Sequence, residues 1–307
     1  MSPSIEDKRA LEMMEQSLKV VNAHFQVGLP WRTNSPYLPN NKLMVERRAA
    51  LLKKRLLREE DFFSKYNATM SEYIEEGHAD RVPTDELQPG DGQVWYLLHH
   101  PVTHPLKPEK VRVVFDCAAQ FAHTSLNRQL LQDPDITNNI VGVLNRFRQE
   151  FVGLVADIQS MFHQVRVALR DCDALRLLWW PGGDLSAELT EYRMVKHLFG
   201  ATSSPSVVNL CLKKTTEMDG GWNSEVANVI KKNMYVDDLM KSTETTADAI
   251  LLVHKVKEQL SKGGFHLTKW CSNDRRVLAV VPEPERAKSV LNLELDQLPT
   301  QSALGVK

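Results

Sequence analysis

Met234-Tyr235-Val236-Asp237-Asp238-Leu239-Met240 sets two adjacent carboxylates between apolar residues of the kind that build strands. A strand, a two-carboxylate turn and a second strand fit residues 232–241. Neighbouring acids repel one another and are costly to desolvate at a strand end, so sharing a cation is one reason for a chain to keep them there. Turn chemistry is the other, because Asp suits a β-turn without any ligand. Both readings stand on this stretch alone.

Upstream, Phe151-Val152-Gly153-Leu154-Val155-Ala156-Asp157 ends an apolar strand on a lone carboxylate, and Ile158, Met161 and Phe162 continue on a different period. Asp157 reads either as a helix cap or as a metal ligand. Phosphoryl transfer with two metals needs oxygen ligands from separate strands, because ions about 3.5–4 Å apart clamp the attacking and leaving oxygens together. Asp157 with Asp237 is a candidate pair for that arrangement. Such sites bind Mg²⁺ through a few carboxylates plus substrate phosphates, without a dedicated protein cage.

The surroundings alternate helix and strand. Ser4, three residues before Asp7, predicts a capped helix with Leu11, Met14, Leu18 and Val21 on one face. Three prolines and three asparagines between 28 and 41 predict an irregular connector, followed by helices over 43–63 and 66–76, the latter closed by Gly77. About the first 85 residues thus form a helical lead-in. Val94–Leu98 and Val111–Cys117 read as two antiparallel strands joined by the long Pro/His/Lys loop between them, with His99, His100 and His104 as surface loop residues and no zinc site. A helix over 139–149, a strand over 151–157 and a hairpin pairing 175–180 with 192–197 come next. Ser204 before Pro205 predicts a helix start running to about 216, and a helix over 246–262 ends at Gly263 and Gly264.

A chain of 307 residues, 42% hydrophobic and 25% charged, has the composition of a folded globular protein. The charged N-terminus lacks the apolar core of a secretion signal and no apolar run is long enough to cross a bilayer, so an intracellular protein without a membrane segment is expected. Cys117, Cys172, Cys211 and Cys271 show no CxxC spacing and read as reduced thiols. A net charge of −1 gives no global sign of nucleic-acid binding. Locally, Lys42, Arg47, Arg48, Lys53, Lys54, Arg55 and Arg58 alternate with leucines at helical spacing, which fits either a basic binding face or a solvated face over a core stripe.

YVDD at 235–238, preceded by VADIQSMFHQV and FGATSSP, resembles the reverse transcriptases, and the wider match is closest to those of Pao/BEL-type LTR retrotransposons. KVRVVFDCAA (110–119), TSLN (124–127), NRFRQE (145–150), LLWWPGGDL (177–185), YRMVKHLFGATSSP (192–205) and GGFHLTKWCSN (263–273) extend it, and VGLPWR and LPNN carry it into the lead-in. The resemblance implies an α+β right-hand polymerase fold, its palm an antiparallel sheet backed by helices. The expected divisions are a lead-in over 1–85, fingers mainly over 86–130 and 168–197, palm mainly over 131–167 and 198–272, and a truncated start of the primer grip over 273–307, with no thumb. The implied activity is RNA-directed DNA polymerisation, with a decayed or co-opted relic that binds nucleic acid or protein without catalysis as the alternative.

By the same resemblance, Asp157, Asp237 and Asp238 hold two Mg²⁺ ions, with Mn²⁺ as a substitute, and Tyr235 and Val236 complete the motif. Lys110 and Arg112 contact the incoming deoxynucleoside triphosphate, Phe162 lies under its sugar and excludes a 2′-hydroxyl, and Lys269 stands near the leaving pyrophosphate. Gly200 and the Ser203-Ser204-Pro205 turn lie beneath template and nucleotide. Outside the resemblance, Phe162 also fits a core aromatic, and Lys110 and Arg112 fit surface strand positions. Two positions depart from the pattern: Asp133 stands where glycine is usual, and Phe199 where retroviral enzymes carry glutamine. The implied partners are an RNA/DNA template-primer, deoxynucleoside triphosphates and the thumb, RNase H, protease and integrase parts of a polyprotein. The implied location is the cytoplasm, virus-like particles or the nucleus.

Overall fold

The structure, a computed structural model, describes residues 4–290 apart from 89, 91, 105–106, 133 and 219–223. Asp133, which stands where glycine is usual, and residues 291–307 of the expected primer-grip start fall outside these residues. The chain runs through α1 (Ile5–Ser17), β1 (Lys19–Val21), β2 (His24–Val27), α2 (Lys42–Arg58), α3 (Glu60–Glu75), β3 (Ala79–Arg81), β4 (Leu98–His104), β5 (Lys107–Asp116), α4 (Leu126–Gln129) and α5 (Ile140–Phe147). It continues through β6 (Val152–Ile158), β7 (Arg166–Val167), β8 (Arg176–Trp179), β9 (Thr190–Met194), α6 (Ser204–Thr215), α7 (Glu225–Asn233), β10 (Met234–Tyr235), β11 (Asp238–Thr243), α8 (Thr246–Ser261), β12 (Leu267–Ser272) and α9 (Arg275–Ala279). Among the described residues no helix is long and apolar enough to cross a membrane. The mixture is α+β, and it divides into two compact units, the first comprising 4–19, 26–134 and 165–204 and the second the remainder.

In the first unit, α1 starts as its sequence predicts. Ser4 Oγ accepts from the Asp7 amide at 3.0 Å and Asp7 Oδ2 accepts from the Ser4 amide at 2.7 Å. The helix predicted over 43–63 breaks at Glu59, whose φ of −120° and ψ of 84° are non-helical and whose carboxylate is taken by Arg55 and Arg58. The Pro/His/Lys stretch is strand, contrary to the expected loop. Leu98 pairs with Asp116 and Thr103 with Val111, so the ladder occupies the residues read as a connector. Pro101 is tolerated because, among the described residues, this sheet has two strands, each with an open edge.

Val94–Leu97, read as a strand, belongs to no named strand and is buried, its backbone bonded to Asp173 and Arg176 and to the Asn41 side chain at both the Tyr96 amide and carbonyl. His99, expected at the surface, is half-buried and bonded on both ring nitrogens. Its Nε2 lies 3.1 Å from the Leu178 carbonyl, which can only accept, so Nε2 carries the proton and Nδ1 accepts from the Tyr66 hydroxyl at 2.6 Å. Burial holds its pKa down to about 4, and the ring is neutral at pH 7.

Arg176 is fully buried on β8 and ties this unit together. It donates to Glu191 at 2.9 Å, to Asp173 at 2.9 Å and to the Glu86 carbonyl at 2.7 Å, while Tyr96 and Lys42 take the rest of the Glu191 carboxylate. A buried ion pair is costly to break from one side, because the remaining charge loses its partner without regaining water. Arg176→Met is therefore expected to lower unfolding stability in urea by about 3–5 kcal/mol; a loss under about 1 kcal/mol would mean that Glu191 is held by Lys42 and Tyr96 alone.

The second unit centres on an antiparallel sheet ordered β10-β11-β6-β12, against which α5, α7 and α8 pack. Alternate residues of β6, namely Val152, Leu154, Ala156 and Ile158, are buried, leaving Gly153, Val155 and Asp157 on the less covered face. Here α7, β12 and α9 occupy stretches where the residue pattern predicts neither helix nor strand.

Candidate active site

One end of this sheet carries the acids. β11 pairs with β6 so that Asp238 stands opposite Asp157, and directly opposed residues of an antiparallel pair present their side chains on the same face. Asp237 precedes Asp238 in the turn, and its carbonyl accepts from the Ile158 amide at 2.9 Å, which fixes the turn to the end of β6. On the other flank Thr268 of β12 also pairs with Asp157. The register then breaks between Thr268 and Cys271, and Lys269 in this bulge puts Nζ 2.8 Å from Asp157 Oδ2. Asp157, Asp237, Asp238 and Lys269 therefore come together within one unit.

The backbone there is unusual. Tyr235 pairs with Asp238, so Val236 and Asp237 form a two-residue hairpin turn, and Val236 takes a φ of 53°. A β-branched residue is costly in the left-handed region, where hairpins favour glycine or asparagine. Lys269 is left-handed too, with φ 54°. Asn138 steadies the hairpin by donating to the Met234 carbonyl at 2.7 Å, and Asn233 by donating to the Met240 carbonyl at 2.9 Å. These two asparagines leave no mark in the residue pattern, since each acts on backbone remote from it in sequence or across a turn.

Charge at this end is unbalanced: three carboxylates face one ammonium. Burial, then repulsion by Asp237 and Asp157, pushes the Asp238 carboxyl up to about 6 against the pull of Lys269. Burial also raises the pKa of Asp237. The Lys269–Asp157 pair itself is well exposed on the lysine side and contributes little to stability, roughly 0–1 kcal/mol. Among the described residues no group of three or more His, Cys, Asp or Glu side chains is gathered as a metal cage. Oxygen donors with surplus negative charge nevertheless fit a hard divalent cation whose remaining ligands come from elsewhere, which is how Mg²⁺ is commonly held.

The other predicted residues are distributed over both units. Phe162 is half-buried in a short 3₁₀ turn, Met161–Gln164, just beyond β6 in the second unit. Arg112, on β5 of the first unit, is exposed while its neighbours Val111 and Val113 face inward. Lys110 lies on the same strand, and its side chain is outside the described part of the structure. Gly200 has a φ of 114°, and a Cβ there would sit 2.5 Å from the Phe115 carbonyl oxygen, so only glycine fits. Ser203 and Ser204 are buried with hydroxyls that make no hydrogen bond to a described residue. Ser204 begins α6 as predicted, with Pro205 next.

No family model matches the sequence, and no curated protein is similar to it. The foamy viral protease-reverse transcriptase (dRH form) in complex with double-stranded DNA is similar in structure, with a TM-score of 0.51 at 15% identity over 66% of this chain and 30% of that one. The same viral protein with an RNA/DNA hybrid gives a TM-score of 0.48 at 15% identity over 78% and 25% of the two chains. The chain thus spans about a third or less of the length of these proteins. It has a reverse transcriptase-like fold.

Two outcomes follow from the strained, crowded turn. Val236→Gly is expected to raise stability by about 1 kcal/mol net of glycine's entropy cost, seen as a rise of roughly 2–4 °C in Tm; an unchanged or lower Tm would show Val236 to be unstrained. For Asp238 the folded pKa lies above the unfolded one, so its proton favours the folded state below about pH 4 and that contribution is lost as pH rises through about 6. Asp238→Asn has no such loss. Relative to the parent, the variant should gain about 1 kcal/mol, after allowance for solvent screening, between pH 4 and pH 7; a flat difference across that range excludes the raised pKa.

Proposed function

We propose that the chain is the fingers-and-palm part of an RNA-directed DNA polymerase of a Pao/BEL-type retrotransposon, joining deoxynucleotides to a primer 3′-hydroxyl. The observation that carries this reading is the register setting Asp157 opposite Asp238, with Asp237 beside it, at the end of one antiparallel sheet. Asp157 is far in sequence from the adjacent Asp237 and Asp238, and burial together with repulsion among the three raises the Asp238 pKa. The reverse transcriptase-like fold supports the choice of chemistry.

Asp157, Asp237 and Asp238 are the residues that would hold two divalent cations. Bound there, Mg²⁺ supplies the positive charge that draws the attacking and leaving oxygens into line and neutralises charge developing on the phosphate. The chain's part is positioning. The Ile158–Asp237 bond and the two asparagines hold the turn rigid, so that the carboxylates are aimed before any substrate arrives. Lys269 balances Asp157 in their absence and, once released, offers an ammonium to a leaving phosphate. Phe162, next to β6, supplies a bulky ring for the sugar edge, which favours deoxynucleotides. The triphosphate roles of Lys110 and Arg112, and those of Gly200, Ser204 and Pro205 beneath the template, rest on the sequence resemblance. A template-primer and deoxynucleoside triphosphates are the partners, further polyprotein segments complete the working form, and the setting is intracellular.

The test is primer extension on an RNA template with Mg²⁺, using the chain and a longer form that continues past Lys307. Extension should fall at least about a hundredfold in Asp237→Asn. Extension that survives this substitution removes Asp237 from the chemistry, and silence from both unsubstituted forms favours a relic that binds without catalysis.

A further inference from the structure

α2 carries a surface that the acids do not explain. Its inner stripe of Val45, Ala49 and Leu56 is buried, while Leu43, Leu51 and Leu57 stand exposed on the same helix. Several of its cations are engaged: Lys42 with Glu191, Arg55 and Arg58 with Glu59, and Lys53 over the Trp180 ring at 6.0 Å. Arg47 and Arg48 are exposed and make no ion pair with any described residue. They line a groove of about 450 Å³ together with Leu43, Met44, Leu51 and Phe121, all in the first unit.

Phe121 is held at this groove by a tight loop. Its backbone exchanges hydrogen bonds with Thr124 at 2.9 and 3.0 Å, and the two residues between them, Ala122 and His123, are both left-handed with φ of 46° and 64°. Neither is glycine, so the loop adopts a costly shape that fixes an aromatic ring beside two guanidinium groups that pair with no described residue. Adjacent residues on a helix diverge by about 100°, so Arg47 and Arg48 straddle the groove instead of converging on one carboxylate. That spacing suits successive phosphates of an extended strand, and the apolar lining suits base faces, which a duplex hides in its stack.

We propose that this groove binds a single nucleic-acid strand without sequence preference, its phosphates on Arg47 and Arg48 and a base against Phe121. The choice of ligand rests on the polymerase reading above, while the site is separate from the three acids. Binding is measured by fluorescence anisotropy of a labelled oligo(dT) of about 20 nucleotides, without metal or nucleotide, against the full chain. Arg47→Glu/Arg48→Glu is expected to weaken binding at least about tenfold and to reduce the salt slope by about 1.4, two strand phosphates' worth. Phe121→Ala is expected to weaken it about fivefold or more with the salt slope unchanged. Lys8→Glu/Arg9→Glu, the same charge change on α1, should alter affinity less than about twofold.

Equal losses from the α1 and α2 pairs would mean a diffuse charge effect and overturn the groove. Equal affinity for a blunt duplex of the same length overturns the single-strand assignment. Competition by polyglutamate as effective as by unlabelled oligo(dT), with Phe121→Ala silent, overturns it in favour of an acidic protein partner. The two readings fail separately: a chain that binds strands through Arg47 and Arg48 but never extends a primer loses only its polymerase role, and one that extends a primer indifferently to these residues loses only the groove.

Discussion

Three like charges at the end of one sheet are the constraint on which the second unit turns. β6 is flanked by β11 and β12, so every residue near its end is fixed from two sides, and Asp157 meets Asp238 across one ladder and Thr268 across the other. Sheet pairing rewards that arrangement with backbone hydrogen bonds while the carboxylates oppose it. The opposition is reduced in two ways: Lys269 reaches Asp157 from the bulge of β12, and Asp238 retains its proton to a higher pH than a free carboxyl. Both devices are reversible, since an exposed lysine swings away at little cost and a proton leaves when a cation arrives. A site that stores repulsion in this way is prepared for positive charge.

Backbone strain follows the same geography. Val236 and Lys269, both left-handed, flank the acids from the two strands that border β6. Left-handed non-glycine residues persist only where the surroundings fix them, and here the Asn138, Asn233 and Ile158 hydrogen bonds supply the fixing. Ala122 and His123 show the same pattern in the first unit, where the loop they form presents Phe121.

The first unit is organised on a different principle. A fully buried Arg176, shared among Glu191, Asp173 and the Glu86 carbonyl, joins β8, β9 and the preceding irregular segment, and Lys42 and Tyr96 close the Glu191 side. A neutral His99 bridges α3 to β8 through Tyr66 and Leu178. The groups named here are paired with one another, which makes this part of the unit rigid.

What the sequence by itself determined was local. The capping box at Ser4, the helix start at Ser204, the Gly77 and Gly264 left-handed positions and the β6 and β10–β11 strands follow from spacing and residue type, because each depends on groups a few residues apart. The pair of acids in the hairpin and the lone acid ending β6 were visible for the same reason. Tertiary structure decided what depends on distant partners. The sequence around His99 reads as surface because nothing in its neighbours announces Tyr66 and Leu178, and the Pro/His/Lys stretch reads as a loop because proline opposes strands except at a free edge, which only the sheet reveals. Lys269's approach to Asp157 likewise required a register shift between Thr268 and Cys271, a property of two strands together and of neither alone.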